Sequence, residues 1–228
     1  MTEAAVWGAL AAGSLVVGAV LALVRRWSDR AVGVVLSFGA GALISAVSFE
    51  LFEEGINIGG AGSVAIGLGA GALVYFTLDR AVERFGGGAS LALGAFLDGI
   101  PEQMVLGIGV AAGKGVSVAL VVAIFVSNVP EATGSSSELV AGGRSRGRVF
   151  WLWVGVALVC TLATVAGYAL ADAAGSHVRA GINGFAAGAL LVMLVDSMVP
   201  EASKKTGLPA GLVTVLGFAV AAGLSTSS

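Results

Sequence analysis

The sequence has one cysteine, one histidine, four prolines and few charges among its 228 residues. The single cysteine, Cys160, excludes an intramolecular disulfide and any metal site built from several cysteines. One histidine cannot supply a two-histidine metal motif, and we find neither a Ser-His-Asp set nor a phosphate-binding loop, so we expect no enzyme activity. Charged residues make up 11% of the chain, against about 25% in soluble domains. This shortage of charge excludes a water-soluble domain.

Apolar residues dominate instead, with 57% of the chain in the hydrophobic set and a mean hydropathy of +0.98. The apolar runs are continuous, whereas the strands of a membrane β-barrel alternate apolar and polar residues. We therefore predict an all-α membrane protein, a single integral membrane domain over 1–228. Because a span needs about 20 apolar residues, the chain has room for about eight transmembrane helices. Breaks at charge, Pro and Gly clusters place these helices, numbered 1 to 8, at 4–24, 31–54, 61–78, 89–112, 116–141, 149–171, 180–202 and 208–225.

Basic residues set the predicted orientation of these helices. Ten of them follow helices 1, 3, 5 and 7: Arg25, Arg26, Arg30, Arg80, Arg84, Arg144, Arg146, Arg148, Lys204 and Lys205. The opposite side has only Lys114 and Arg179. Cytoplasmic loops are rich in Lys and Arg, so we expect a multi-pass protein of the cell membrane with both termini extracytoplasmic. The first residues lack a basic segment, and we expect the first apolar run to be a retained helix.

Two pairs of segments resemble each other. FGAGALISAVSFELFEE at 38–54 aligns without gaps with FAAGALLVMLVDSMVPE at 185–201, and FLDGIPE at 96–102 aligns with FVSNVPE at 125–131. In the predicted topology the paired helices run in opposite directions, which predicts inverted repeats, with helices 1–3 related to 6–8 and helices 4 and 5 central. Inverted repeats are typical of transporters. Short matches rich in Gly and Ala also arise by composition, which is the alternative for helices 2 and 7.

Acidic and amide side chains inside the predicted spans indicate a cation site. Each buried acid costs about 2.5–3.5 kcal/mol at a helix centre, and no Lys or Arg lies within a predicted span to neutralise it. Such acids must be protonated, solvated or neutralised by a cation. Oxygen donors suit divalent cations such as Mn(II), Fe(II), Zn(II) or Mg(II). The candidate oxygen donors are Asp98, Glu102, Ser127, Asn128 and Glu131. Protonated structural carboxyls are the alternative.

Two prolines strengthen this interpretation. Pro101 and Pro130 each precede a glutamate, and a proline inside a helix frees the carbonyl one turn earlier for another partner. Further acids lie towards the ends of helices 2, 5 and 7 and predict a pathway to and from the site. They are Glu50, Glu54, Glu138, Asp196 and Glu201. The alternative is that these acids only mark helix ends at the membrane surface.

The motifs together resemble the ZIP (Zrt/Irt-like) family of divalent metal transporters over essentially the whole chain. The resemblance rests on the two Pro-Glu motifs, on FGAGALISAVSFELFEEG in helix 2, on GALVYFTLDRAVERFG in helix 3 and on VDSMVPEA in helix 7. It implies eight spans, external termini, a homodimer and a metal site between helices 4 and 5. The positions that match the family motifs are Asp98, Gly99, Pro101, Glu102 and Gln103 in helix 4, and Ser127, Asn128, Pro130, Glu131 and Ala132 in helix 5. Through this match the resemblance adds Gln103 to the candidate metal ligands.

The sequence also departs from the family pattern. Asp98 and Ser127 stand where histidines are usual, and Cys160 stands at the depth where many members have an acid in helix 6. Imidazole is a ligand that zinc favours, so we expect a broader or harder metal preference than in a zinc-selective relative.

We therefore expect transport of a divalent metal cation (zinc, iron, manganese or similar) into the cytoplasm through a midplane carboxylate site. The metal is substrate, and no cofactor is expected. The other expected partner is the lipid bilayer. The net charge of −2 argues against nucleic acid. Two alternatives stay open: a cation or proton channel, and a non-transporting membrane scaffold or sensor with a ZIP-like fold.

Overall fold

The computed structural model describes residues 1–25, 27–84, 88–113 and 116–225. Within those ranges the chain is helical, and it contains no strand. Arg26 and Lys114, which enter the charge argument, lie outside the described residues. The described part of the chain therefore agrees with the predicted all-α class.

Each of the eight predicted segments overlaps one continuous helical stretch of the described chain. The stretches are α1 (Thr2–Val24), α2 (Asp29–Gly59), α3 (Ala61–Glu83), α4 (Gly88–Ala111), α5 (Val118–Ala141), α6 (Arg146–Ala173), α7 (Ser176–Thr206) and α8 (Ala210–Ser225). Among the described residues, six of them are long and apolar enough to cross a membrane: α1, α2, α3, α5, α6 and α7. The helix α8 is apolar but shorter. Eight membrane spans thus stay a prediction, whereas a helical integral membrane protein is supported.

The two longest apolar helices contain π-helical segments. In α2 the segment is Val47–Glu53, and in α7 it is Leu194–Met198. Residues 38–54 align with 185–201, so Val47 and Leu194 occupy equivalent positions and both segments begin at the same place in the repeat. A π-helical turn inserts extra backbone into a helix and is frequent at functional sites. It changes the direction of the side chains that follow it in α2 and in α7.

The helices form two groups of four. In the first group α3 packs against α7, and α2 packs against α8. The C-terminal part of α7, Val199–Thr206, also packs against α2. In the second group α1 packs against α5 and α6, and α4 packs against α6. We call these the α2/α3/α7/α8 group and the α1/α4/α5/α6 group. They meet chiefly where α2 lies against α5.

Glycines in equivalent positions permit equivalent close contacts. A Cβ atom on Gly71 of α3 would lie 1.9 Å from the carbonyl oxygen of Phe185 in α7. A Cβ atom on Gly217 of α8 would lie 2.0 Å from the carbonyl oxygen of Phe38 in α2. Phe38 and Phe185 are the first residues of the aligned segments. Small residues let membrane helices approach closely, so the sequence repeat corresponds to a repeated packing contact. Its inverted orientation across a membrane stays a prediction.

Burial separates central helices from outer ones. In an 18-residue apolar stretch of each helix, 67% of the residues are buried in α2 and 56% in α7. The corresponding shares are 22% in α3 and 28% in α6. Large apolar side chains on the outer helices are exposed, such as Leu73 on α3 and Leu162 on α6. Lipid solvates such side chains, so α3 and α6 have the surfaces expected at the edge of a membrane bundle.

Candidate cation site

The two proline-containing helices bring the predicted acids into the interior. Pro101 lies inside α4 and Pro130 inside α5. Asp98 is 7% exposed and Glu102 is 2% exposed, while Glu131 is partly buried. Buried carboxyl groups are rare unless they are paired, hydrogen-bonded or functional. The hydrogen-bond partners of these carboxyl groups therefore determine whether their oxygens are available to a cation.

Glu102 faces α5 across the interface between the two helices. Ser127 Oγ lies 3.2 Å from Glu102 Oε1 and 3.0 Å from the carbonyl oxygen of Ile124, and its one proton serves either acceptor. The other carboxyl oxygen, Glu102 Oε2, is buried and has no hydrogen-bond partner among the described residues. A Cβ atom on Gly39 of α2 would lie 3.1 Å from the Ser127 backbone, so α2 lies close against this point. Glu102 thus has an unused oxygen in an enclosed place.

Asp98 lies one helical turn before Glu102 and has different partners. The Tyr75 hydroxyl of α3 donates a hydrogen bond to Asp98 Oδ1. Glu131 lies within electrostatic range of both Asp98 and Glu102. The two Pro-Glu motifs therefore meet at the interface of α4 and α5.

Two predicted ligands point elsewhere. Gln103 Oε1 accepts a hydrogen bond of 2.7 Å from Thr164 Oγ1 on α6. Asn128 Nδ2 donates a hydrogen bond of 3.0 Å to Ser14 Oγ on α1. Both amides are fully buried, and they join α4 to α6 and α5 to α1. In this conformation the two amides connect helices of the α1/α4/α5/α6 group and do not face the carboxyl groups. The carboxyl groups are then the candidate ligands that remain at the centre of the site.

The described residues contain no group of three or more His, Cys, Asp or Glu side chains that could hold a metal ion as they stand. The carboxyl groups of Asp98, Glu102 and Glu131 lie within electrostatic range of one another, but Asp98 is hydrogen-bonded to Tyr75 and Glu102 to Ser127. Binding a cation between them requires these side chains to leave hydrogen bonds that they now make.

Cys160 lies beside α4 without joining such a group. It is buried, and a Cβ atom on Gly99 would lie 2.7 Å from its sulfur atom. Glu102 and Glu131 are within electrostatic range of the thiol. The sulfur fills the space that the glycine leaves, which agrees with a packing role for this cysteine.

A cavity of about 230 Å³ opens one helical turn beyond Glu102 along α4. It is lined by the π-helical segment of α2, by the end of α4, by the start of α5 and by the first turns of α7. Glu50 and Glu54 line it, and Glu50 Oε1 accepts hydrogen bonds from Ser117 and Ser225. The cavity is large enough to hold several water molecules. Leu106, which is 1% exposed, lines its wall one turn from Glu102.

The remaining predicted pathway acids lie towards the other end of the bundle. Glu201 pairs with Lys205 at 2.5 Å, and both lie beside Gly134, three residues after Glu131. Glu201 is within electrostatic range of Asp98 and of Glu131. Asp196 and Glu138 are exposed. The structure therefore brings Glu201 near the central acids, whereas Asp196 and Glu138 lie on the surface of the described chain.

Sequence reasoning missed two residues of this region. Tyr75 is 4% exposed and bonds directly to Asp98, and Asp79, one turn later on α3, is within electrostatic range of both. The signal was present in YFTLD, where a tyrosine and an aspartate are four residues apart and thus share one face of a helix. That α3 turns this face towards α4 depends on tertiary packing.

No family model matches the chain, but a curated protein is similar to it. The chain is 30% identical over 188 residues to a protein of Arabidopsis thaliana whose description reads "Putative zinc transporter". The alignment includes 76% of this chain but 30% of the plant protein, so the chain spans less than a third of that relative's length. The similarity is consistent with a ZIP-like family.

Proposed function

We propose that this protein is a ZIP-like carrier that moves a divalent metal cation across a membrane. The observation that supports this most directly is Glu102, a buried glutamate with an unpartnered oxygen, next to Asp98 and Glu131 in a helical membrane protein. Three neighbouring carboxyl groups repel an anion and attract a cation. The plant relative described as a zinc transporter supports the choice of a metal ion as substrate.

The charge around the site favours a cation over other polar substrates. Lys205, a basic group beside Gly134 of α5, is already paired with Glu201. Unpaired carboxylates are costly in a membrane interior, and a bound divalent cation removes that cost. Carboxylate, hydroxyl and amide oxygens suit hard and borderline divalent metals, so zinc, iron and manganese are the proposed substrates.

The proposed pathway runs along the bundle in three stages. The cavity lined by Glu50 and Glu54 receives the ion, the Glu102 region holds it, and the Glu201 end releases it. From the distribution of Lys and Arg, we infer that the cavity faces the outside, that transport is into the cytoplasm and that both termini are extracytoplasmic. Movement of the α2/α3/α7/α8 group against the α1/α4/α5/α6 group would expose the central site to alternate sides.

Uptake into proteoliposomes tests this proposal. Wild-type protein should take up at least one of Mn²⁺, Fe²⁺, Co²⁺, Zn²⁺, Cd²⁺ and Mg²⁺ with saturating kinetics, because a carrier binds its ion before each turnover. Flux that rises without saturation would favour the channel alternative. An absence of flux together with an absence of metal-dependent thermal stabilisation would favour the scaffold alternative. Protein-free liposomes and liposomes with the Glu102→Ala variant serve as controls.

The family resemblance also suggests a homodimer. Light scattering of the detergent-solubilised protein, corrected for bound detergent, would give its mass. A mass of two chains of 22.4 kDa each supports the dimer, and a mass of one chain contradicts it.

A further inference from the structure

Tyr75 contacts the centre of the proposed site from outside the two Pro-Glu helices. It lies on α3, is 4% exposed, and donates its hydroxyl proton to Asp98 Oδ1. A buried tyrosine hydroxyl usually has a hydrogen-bond partner. Here the partner is a buried carboxyl group, so the bond is charge-assisted when Asp98 is ionised.

This hydrogen bond joins the two helix groups. Tyr75 belongs to the α2/α3/α7/α8 group, where α3 packs mainly against α7. Asp98 belongs to the α1/α4/α5/α6 group, where α4 packs mainly against α6. Direct packing between α3 and α4 is slight. A single buried bond at this place therefore contributes a large share of what connects α3 to α4.

The same bond competes with a cation. The O–H dipole of Tyr75 points its positive end at Asp98 Oδ1 and occupies one of the lone-pair directions that a cation could use on that oxygen. A cation and a hydroxyl proton repel each other, so a metal ion bound to Asp98 makes this arrangement unfavourable. The ring can keep its buried position while the hydroxyl loses its acceptor.

We propose that Tyr75 is a positioning residue that holds Asp98 in the cation-free protein and releases it when a metal ion binds. Site occupancy then weakens the connection between the two helix groups, and re-formation of the bond helps to expel the ion. This inference rests on the proposed transport function. It gives Tyr75 a role in coupling metal binding to movement, with no role as a metal ligand.

The variant Tyr75→Phe tests the inference because it removes the hydroxyl and keeps the ring. Isothermal titration of the detergent-solubilised protein with Zn²⁺ and Mn²⁺ should give about tenfold tighter binding, since a hydrogen bond to a charged group no longer has to be broken. In proteoliposomes the half-saturating concentration and the maximal uptake rate should both fall, because expulsion of the ion is slower. Tyr168→Phe on α6, at the other tyrosine of the chain, is the matched control and should change neither value.

Weaker binding by Tyr75→Phe would overturn the inference and indicate that the phenol oxygen is a ligand. Unchanged binding with unchanged uptake would show that the hydrogen bond has no role in transport, while the proposed function would stand. A wild-type protein that neither binds nor transports either metal would instead refute the proposed function.

A measurement on the wild type does not depend on how the variant folds. Zn²⁺ should increase amide hydrogen exchange in the part of α3 around Tyr75 and leave exchange in α1 unchanged. Exchange in α3 that stays constant or slows on adding Zn²⁺ would contradict the release of Tyr75.

Discussion

Ser127 on α5 faces Glu102 on α4, with 3.2 Å between Ser127 Oγ and Glu102 Oε1. In the aligned motifs FVSNVPE and FLDGIPE, Ser127 corresponds to Asp98, so each motif contributes one polar residue four positions before its glutamate. This spacing puts the polar residue and the glutamate on one face of each helix. The face of α4 and the face of α5 meet, and the oxygen Glu102 Oε2 is buried there without a hydrogen-bond partner among the described residues.

Glu102→Ala and Glu131→Ala should each abolish uptake and the metal-dependent rise in melting temperature. Each substitution removes a carboxylate that we propose to contact the ion. Glu3 and Asp172 are exposed acids at the ends of α1 and α6, and their Ala variants should transport like the wild type. Uptake that persists in both glutamate variants would remove the site from α4 and α5.

Glu50→Gln should lower the rate of uptake several-fold with little change in the half-saturating concentration. The glutamine keeps an acceptor for Ser117 and Ser225 while it removes a negative charge from the wall of the cavity. The charge attracts the ion before it reaches the central site, so it affects rate more than affinity there. Initial rates at several ionic strengths would check this, because the difference from wild type should shrink as salt rises.

Asp196→Ala tests the proposed exit in the same way. Asp196 is exposed within the π-helical segment of α7, and we expect a lower maximal rate with an unchanged affinity for the ion. A wild-type rate in this variant would indicate that Asp196 is a surface acid without a role in the pathway.

Asp98→His combined with Ser127→His should shift competition in uptake towards Zn²⁺ and Cd²⁺. Apart from the Cys160 thiol, the wild-type side-chain donors near Glu102 are oxygens, and imidazole adds the nitrogen ligands that these metals favour. Competition against a fixed concentration of labelled metal gives the order of preference before and after the change. A wild type that already prefers Zn²⁺ and ignores excess Mn²⁺ or Fe²⁺ would show that the missing histidines do not set selectivity.

Gly71→Ala should lower the stability of the fold by about 1–3 kcal/mol, because its methyl group would meet the Phe185 carbonyl oxygen at 1.9 Å. Gly69→Ala is the matched control on the same helix, since nothing lies within 4 Å of its Cβ position. Alanine there should be neutral or should stabilise the helix by up to about 1 kcal/mol. Thermal unfolding in detergent measures both variants. Equal melting temperatures would contradict the close packing of α3 on α7.

The site itself was only partly predictable from the sequence. Asp98, Glu102 and Glu131 stood out because acids are rare in apolar spans, and the structure brings them together. Asn128, as an amide inside a span, and Gln103, through its match to the family motif, were also predicted ligands, but their amides hydrogen-bond to α1 and α6. Sequence spacing gives the face of a helix on which a residue lies, and it does not give the helix that this face meets.

The helical class and the approximate helix positions follow from the sequence alone. A chain with 11% charge and long apolar runs must satisfy its backbone hydrogen bonds internally in lipid, and helices do this locally. The partition into two helix groups, the hydrogen bond from Tyr75 to Asp98 and the cavity beside Glu50 were decided by tertiary structure. Local sequence cannot specify them, because they depend on which small-residue faces approach closely enough to place side chains from distant helices together.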